Sequence, residues 1–385
     1  MIMKKITFLL LAFFISLPLF AQWQNQTLNH ASGLRSYRVY IPTNYNAVNP
    51  ASLVLTLHGL GDNMTNFSGI GFAQLAETNN IIVVCPQALS DPLAGTAWNS
   101  GAGPTYYQPN SSVDDVGFIS ALIDKVSLDY AVNPNKVFSC GFSMGGFMTE
   151  KLAIQLNTKI KAFASVAGTF GNGILPVAVG APGRPVSIAH FHGTSDATIA
   201  YTGNTYGNDA EVMINYWKTN NQSNAVGVHT VLPNTAADGY TVDHYKYISP
   251  NNNSVIELFK VNGANHVWLG PTNDISYTTE IWNFFNAYIQ TTLSTSEFEN
   301  IENNLTVYPN PVKDEINFTL TDVAQDNLFD VTIYDLSGRE IVSEKAQFVN
   351  GSYTMTIDNT NCNSGIYFVR LKSGLIELNK KIIIN

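Results

Sequence analysis

Ser143 lies in Gly141-Phe142-Ser143-Met144-Gly145, between a strand-like run at 136–140 and a helix-like run at 147–156. A serine flanked by glycines where a strand turns sharply into a helix forms a nucleophile elbow. The turn lifts Oγ above the sheet, and the missing Cβ atoms two residues to either side let strand and helix close on each other. A hydroxyl attacks at neutral pH only when a general base takes its proton and an acid orients that base. In chain order after such a serine come the acid and then the base. Asp196 follows the strand-like His190-Phe191-His192-Gly193 in a turn of small residues, and His266 follows another strand-like run in Asn262-Gly263-Ala264-Asn265-His266. Ser143, Asp196 and His266 are therefore expected to act as nucleophile, acid and base.

Other residues of the right type are less well situated. Asp114 and Asp115 precede Ser143 and begin a helical pattern, where a carboxylate caps the helix and meets its dipole. Asp209, Asp238, Asp243 and Asp274 fall in loop-like, solvated stretches. His190 and His192 share the strand before Asp196 and read as buried structural groups, and His30, His229 and His244 have no supporting context. A tetrahedral oxyanion needs two preorganised donors. One is the N–H of Met144, directly after the nucleophile. The other is expected from Leu60 in the turn His58-Gly59-Leu60-Gly61-Asp62, which ends the apolar run 53–57 and which His58 should hold in shape.

These residues need a sheet whose strand ends stand side by side. From about 23 to 289, apolar runs alternate with amphipathic helical stretches, which predicts an α/β fold with a mostly parallel sheet covered on both faces. Strands are expected at 36–41, 53–57, 81–85, 162–167, 186–192 and 254–261. Val116, Ile119, Leu122, Ile123, Val126 and Tyr130 recur at helical spacing, with Ser112 or Asp114 as cap, and 278–289 reads as a closing helix. Residues 291–304 have no apolar period and read as a linker. Beyond them, short alternating runs at 315–320, 329–336, 353–357 and 366–371, separated by the turns Asp335-Leu336-Ser337-Gly338 and Asn363-Ser364-Gly365, predict a small β-sandwich.

The chain opens with Lys4-Lys5, an apolar run at 6–20 and Ala21, the pattern of a secretory signal peptide cleaved after Ala21. The expected organisation is a signal peptide at 1–21, a catalytic domain at 22–290, a linker at 291–304 and a β domain at 305–385. A hydrophobic fraction of 45% with only 13% charged residues suits a packed secreted protein, and a formal charge of −9 without a basic cluster argues against a nucleic-acid partner.

Six segments in order resemble one family: His58-Gly59-Leu60-Gly61-Asp62, Trp98-Asn99, Val113-Asp114-Asp115-Val116-Gly117-Phe118-Ile119, Gly141 to Gly146, His192-Gly193-Thr194-Ser195-Asp196 and Asn265-His266-Val267-Trp268. They are similar to the secreted polyhydroxybutyrate depolymerase and feruloyl esterase family of α/β-hydrolases, over about 32–289. The resemblance implies Ser143 as nucleophile, Asp196 as acid and His266 as base. Leu269 stands where many members have proline after the tryptophan, which bears on pocket shape. Trp98 and Trp268 are candidates to line the pocket as flat apolar walls. In the hydrolase topology Cys85 and Cys140 end strands separated by the 53–57 strand, too far apart for a disulfide. With Cys362 they are expected to be buried thiols, and no zinc-ligand spacing is present.

Tyr308-Pro309-Asn310-Pro311, Ile333-Tyr334-Asp335-Leu336-Ser337-Gly338-Arg339, Gly365 to Leu371 and Lys380-Lys381-Ile382-Ile383 resemble the type A sorting domain of the type IX secretion system. That resemblance implies engagement of this machinery and export across the outer membrane, to the cell surface or beyond. The combined expectation is a secreted serine carboxylic ester hydrolase that needs no metal or organic cofactor. Feruloyl or acetyl esters of plant-wall polysaccharide are its first substrate class and polyhydroxybutyrate or another short-chain polyester the second. A peptidase and a non-catalytic binding protein on the same scaffold are the rivals.

Overall fold

The computed structural model describes residues 22–172, 184–293, 305–320, 328–336, 338–357, 362–373 and 376–384. The expected signal peptide and residues 294–304 of the expected linker lie outside the described residues, as does Ser337 of one expected turn. The chain divides into two compact units between Tyr288 and Ile289.

In the first unit the elements run β1 Trp23–His30, β2 Gly33–Tyr40, β3 Ala51–Leu57, α1 Met64–Phe67, α2 Phe72–Asn79, β4 Ile81–Pro86, the hairpin β5 Leu89–Asp91 and β6 Gly95–Ala97, and α3 Asp115–Asp129. They continue with β7 Val132–Phe142, α4 Met144–Gln155, β8 Ala162–Val166, β9 Ser187–Gly193, α5 Ala210–Asn221, β10 Val228–Val231, β11 Thr241–Ile248, β12 Val255–Asn262 and α6 Tyr277–Leu293. The main sheet has the order β1-β2-β4-β3-β7-β8-β9-β12-β11-β10. Its six central strands are mutually parallel, and antiparallel pairs finish both edges.

The central strands are apolar without alternation because helices cover both faces. Every residue of β3, β4, β8 and β9 is buried. Cys85 on β4 and Cys140 on β7 lie on either side of β3 as unbonded buried thiols, with Thr56 of the intervening strand 2.6 Å from Cys85 Sγ. The strands that escape sequence reading are at the edges. In β1, Trp-Gln-Asn-Gln-Thr-Leu-Asn-His exposes every second side chain from Asn25 on, and its polar composition reads as loop. The short β10 is exposed at all four positions.

Asp114 caps α3, its Oδ1 accepting from Gly117 N at 2.8 Å. Asp115 stands in the first turn of α3, as expected, and does more than meet the helix dipole. It is buried, with Oδ1 2.7 Å from Arg35 Nη2 and Oδ2 accepting from Asn99 N at 2.7 Å. The Arg35 guanidinium lies 3.8 Å over the Phe118 ring. The pair links β2, α3 and the loop after β6, and removing either partner would leave an uncompensated buried charge.

The second unit packs β13 Leu305–Tyr308, β14 Glu315–Leu320 and β17 Ser352–Thr356 as one sheet, and β15 Leu328–Asp335, β16 Glu340–Gln347, β18 Gly365–Ser373 and β19 Ile376–Ile384 as another. Ile316 and Phe318 from the first and Phe329, Val331 and Val369 from the second share one buried core. Alternation is clear here because each sheet has one covered face: Ile316, Phe318 and Leu320 point in while Glu315 is exposed.

One buried carboxyl sits in the first unit's core. Glu150 of α4 accepts from Trp217 Nε1 at 2.9 Å through Oε2, Oε1 has no partner among the described residues, and burial pushes its pKa up to about 8. The folded chain therefore keeps this proton to about pH 8, whereas the unfolded chain releases it near 4.5. Stability should fall as pH rises through that window. Glu150→Gln keeps an acceptor for Trp217 and removes the titration. Calorimetry is expected to find the variant's melting temperature above wild type at pH 8 and no higher at pH 4; parallel pH profiles would refute the assignment.

Candidate active site

The parallel strands deliver the chemistry at their carboxyl ends, where open α/β sheets hold their ligands. Leu60 follows β3, Ser143 follows β7, Asp196 follows β9 and His266 follows β12. Sheet order brings together four segments spread over some two hundred residues of chain.

Ser143 has φ 54° and ψ −121°, a conformation that costs a side-chain-bearing residue about 1–3 kcal/mol and persists only when its surroundings over-determine it. Here they do. Ser143 N donates to Val166 O of β8 at 2.8 Å, and Ser143 O accepts from Phe147 N at 3.0 Å. A Cβ on Gly145 would stand 2.0 Å from Leu57 O, and one on Gly141 would stand 2.2 Å from Gly145 O. The two glycines that mark the elbow in sequence are thus demanded by backbone contacts on both sides of the serine.

Asp196 is buried. Its Oδ1 accepts from the N–H groups of Thr198 at 2.9 Å and Ile199 at 2.8 Å, and its Oδ2 lies 2.7 Å from His266 Nδ1. Burial alone would raise its pKa. The contacts from His192 and His266 and the Ile199 N–H outweigh that and hold the carboxyl well below the usual range, so Asp196 is an anion that fixes the proton on His266 Nδ1. Nε2 of His266 is then the basic nitrogen, and Ser143 and His266 line one cavity.

Two neighbours support the pair. Asn265 Oδ1 accepts from Ala197 N at 3.0 Å and His266 N at 2.8 Å, tying the acid's loop to the base's loop. His192, fully buried, places Nε2 2.8 Å from Ile199 O and 3.5 Å from Asp196 Oδ2, while its Nδ1 lies 3.1 Å from His190 Nε2. A carbonyl only accepts, so His192 carries its proton on Nε2 and Nδ1 accepts from His190. The adjacency of Asn265 to His266 is the one sequence signal for the first; the second is the buried structural histidine expected from its place on the strand before Asp196. Of the remaining acids, Asp209 caps α5, Asp238 accepts from Tyr240 N and Asp274 accepts from Thr235 N, whereas Asp243, expected in a loop, stands on β11 and meets His229 across the pairing with β10.

Leu60 N donates to no other described residue, and Met144 N opens α4, where the first-turn N–H groups lack intrahelical acceptors. Both residues line the cavity that holds Ser143. His58 is buried and braces the Leu60 turn. Nδ1 donates to Gly59 O at 2.8 Å and Nε2 accepts from Ala88 N at 3.1 Å, and burial lowers its pKa and keeps the ring neutral.

The two tryptophans are not the pocket walls that sequence reading expected. Trp98 is completely buried, its Nε1 donating to His58 O at 2.9 Å, so it supports the Leu60 turn from beneath. Trp268 is half-buried behind the wall. It donates to Thr278 Oγ1 at 3.0 Å and meets Phe142 edge-on at 6.3 Å. The cavity, about 520 Å³, takes its aromatic lining from Tyr107, Phe142, Phe147 and Tyr206 instead. Tyr107 is set by a hydrogen bond to Asp91, which also accepts from Asn110 N at 2.9 Å. Tyr107 and Tyr206 lie in loops with no periodic signal, which is why they went unread.

An elbow serine, an acid–histidine pair and two unengaged donors at the strand ends of this sheet are the parts of an α/β-hydrolase. Residues 43–231 match the phospholipase/carboxylesterase family, and residues 306–385 match the secretion system C-terminal sorting domain. Feruloyl esterase D of Neurospora crassa is 31% identical over 195 residues, covering 47% of this chain and 60% of that protein. A bifunctional acetylxylan esterase/xylanase of Neocallimastix patriciarum is 32% identical over 171 residues, covering 43% of this chain and 22% of that protein. The solved acetyl xylan esterase from Aspergillus awamori aligns with a TM-score of 0.48 at 16% identity, over 68% of this chain and 99% of that one. The chain thus carries, on an α/β-hydrolase fold, a match to the phospholipase/carboxylesterase family, followed by a match to a secretion-system sorting domain. It spans 22% and 60% of the length of the two curated relatives.

The strain at Ser143 has a measurable consequence. Ser143→Gly relieves about 1–3 kcal/mol of backbone strain against roughly 0.4–1 kcal/mol of added freedom in the unfolded chain. Ser143→Ala keeps the Cβ and relieves none. The glycine variant is expected to be about 1 kcal/mol more stable than the alanine variant in denaturant titration, and equal stability would show the turn to be unstrained.

Proposed function

We propose that this chain is a secreted serine carboxylesterase that hydrolyses feruloyl or acetyl esters carried by plant-wall polysaccharide. The observation that carries the reading is the His266 Nδ1 contact with the buried Asp196 carboxylate at 2.7 Å, on the same cavity as a serine in strained backbone. Names of relatives support the acyl groups: one is a feruloyl esterase and another an acetylxylan esterase/xylanase. The cavity supports the larger acyl group, because Tyr107, Phe142, Phe147 and Tyr206 offer a planar ring apolar surface on several sides.

In this mechanism His266 Nε2 takes the proton of Ser143 Oγ as that oxygen attacks the ester carbonyl carbon. The carbonyl π electrons move onto oxygen, and the Leu60 and Met144 N–H groups hold the resulting oxyanion. Asp196 keeps the imidazole in register and stabilises its cation. When the tetrahedral adduct collapses, the C–O bond to the alcohol breaks and His266 returns the proton to that alcohol oxygen. Water, deprotonated by the same nitrogen, then attacks the acyl carbon; the bond to Ser143 Oγ breaks, His266 returns the proton to Oγ, and the acid leaves. A leader at 1–21 and the sorting domain at the other end would deliver the enzyme across both membranes to the cell exterior.

Ser143→Ala should lower kcat by a factor on the order of 10⁴–10⁶ without unfolding. Methyl ferulate, acetylated xylan and polyhydroxybutyrate, assayed side by side with wild type and variant, test both chemistry and substrate. Turnover of the polyester alone would replace the plant-wall reading with a depolymerase. Equal turnover by the variant would remove Ser143 from the mechanism.

A further inference from the structure

The loop between β6 and α3 has two faces. One, through Gly103, Pro104 and Tyr107, walls the reactive cavity. Behind it lie two open polar hollows, of about 350 Å³ and 420 Å³, that share Gln108, Ser111 and Ser112; Tyr107 lines both the reactive cavity and the first hollow. Tyr106 lines the first hollow with 89% of its surface exposed.

The polar groups of this surface divide into two sets. Some hold the loop in shape. Asn110 donates to Leu89 O at 3.0 Å and Ala97 O at 2.7 Å, Asn99 donates to Val113 O at 2.7 Å, and Lys151 donates to Asn99 O at 2.7 Å. The side chains of Thr105, Tyr106, Gln108, Ser111 and Ser112 make no hydrogen bond to another described residue. The free set is therefore a row of neutral donors and acceptors on a preformed scaffold, beside one exposed aromatic ring.

That chemistry selects its ligand. Anions are disfavoured, since the lysine is turned into the loop and Asp91, Asp114 and Asp115 border the hollows. An apolar chain would find little to bury against, because these hollows, unlike the reactive cavity, are lined mainly by polar side chains. A neutral polyhydroxylated ligand satisfies both features. Its hydroxyls pair with amide and hydroxyl side chains, and the C–H face of a sugar ring packs on the tyrosine ring.

We infer that this loop is a glycan-binding site, which holds the polysaccharide chain that bears the ester while the acyl group enters the reactive cavity. The inference rests on the esterase reading for its role in turnover, but binding of the glycan itself does not.

Tyr106→Ala in the full chain tests it, with the ratio of kcat/KM on a feruloylated arabinoxylan oligosaccharide to that on methyl ferulate as the readout. The variant is expected to lower this ratio about tenfold, the loss of roughly 1.4 kcal/mol of glycan contact. An unchanged ratio overturns the site. Titration of ester-free xylohexaose into wild type and variant separates this inference from the esterase reading. If wild type hydrolyses no ester yet binds xylohexaose, with binding weakened in Tyr106→Ala, the glycan site stands and the esterase reading falls. If wild type does not bind xylohexaose, the glycan site falls whatever the esterase activity.

Discussion

The reactive end of this molecule depends on one close backbone approach. At the elbow, α4 starts so near β3 that no Cβ fits on Gly145, which would meet Leu57 O at 2.0 Å. That approach gives Ser143 its positive φ, points the first N–H groups of α4 toward the serine, and sets the β3 turn carrying Leu60 beside it. Loosening it by the width of a methyl group would displace the nucleophile and both candidate oxyanion donors together. The strain at Ser143 is tolerated because β3, β8 and the stretch of β7 at 137–141 leading into the elbow are buried and cannot yield separately.

A second layer of polar contacts works behind the site. His58 and Trp98 hold the Leu60 turn, His192 and the Ile199 N–H hold Asp196, and Asn265 holds His266. These groups are mostly buried, so each must find its partner or cost stability, and that requirement fixes the loops without regular secondary structure. The buried Arg35–Asp115 pair does the same for the loop after β6, since Asp115 also holds Asn99 N. The tyrosine wall of the cavity and the polar hollows behind it thereby share one anchored loop.

Much of this was legible from the chain. The elbow serine, the acid and base after it, and the glycine turn after the 53–57 run follow from residue type, spacing and order, because local backbone geometry dictates them. Central strands and the α3 helix were legible because burial on both faces or on one stripe leaves an apolar pattern. The edge strands β1 and β10, and β11 beside the latter, were not, because strands with partly solvated faces keep polar residues that read as loop. The helix start at Asp115 was legible, but its ion pair was not, because the partner Arg35 lies eighty residues away in the chain.

The sequence by itself determined which residues could do chemistry and the order in which they occur, since an elbow, a cap and a strand-end turn are each set by a few neighbouring residues. Only the tertiary structure decided what surrounds them. It buried Trp98 under the Leu60 turn, set Trp268 behind Phe142, and gave the pocket wall to Tyr107 and Tyr206 from two loops about a hundred residues apart. The physical reason is that an aromatic side chain serves a core and a pocket equally well. Which it serves depends on the packing of distant segments, information that no local pattern carries.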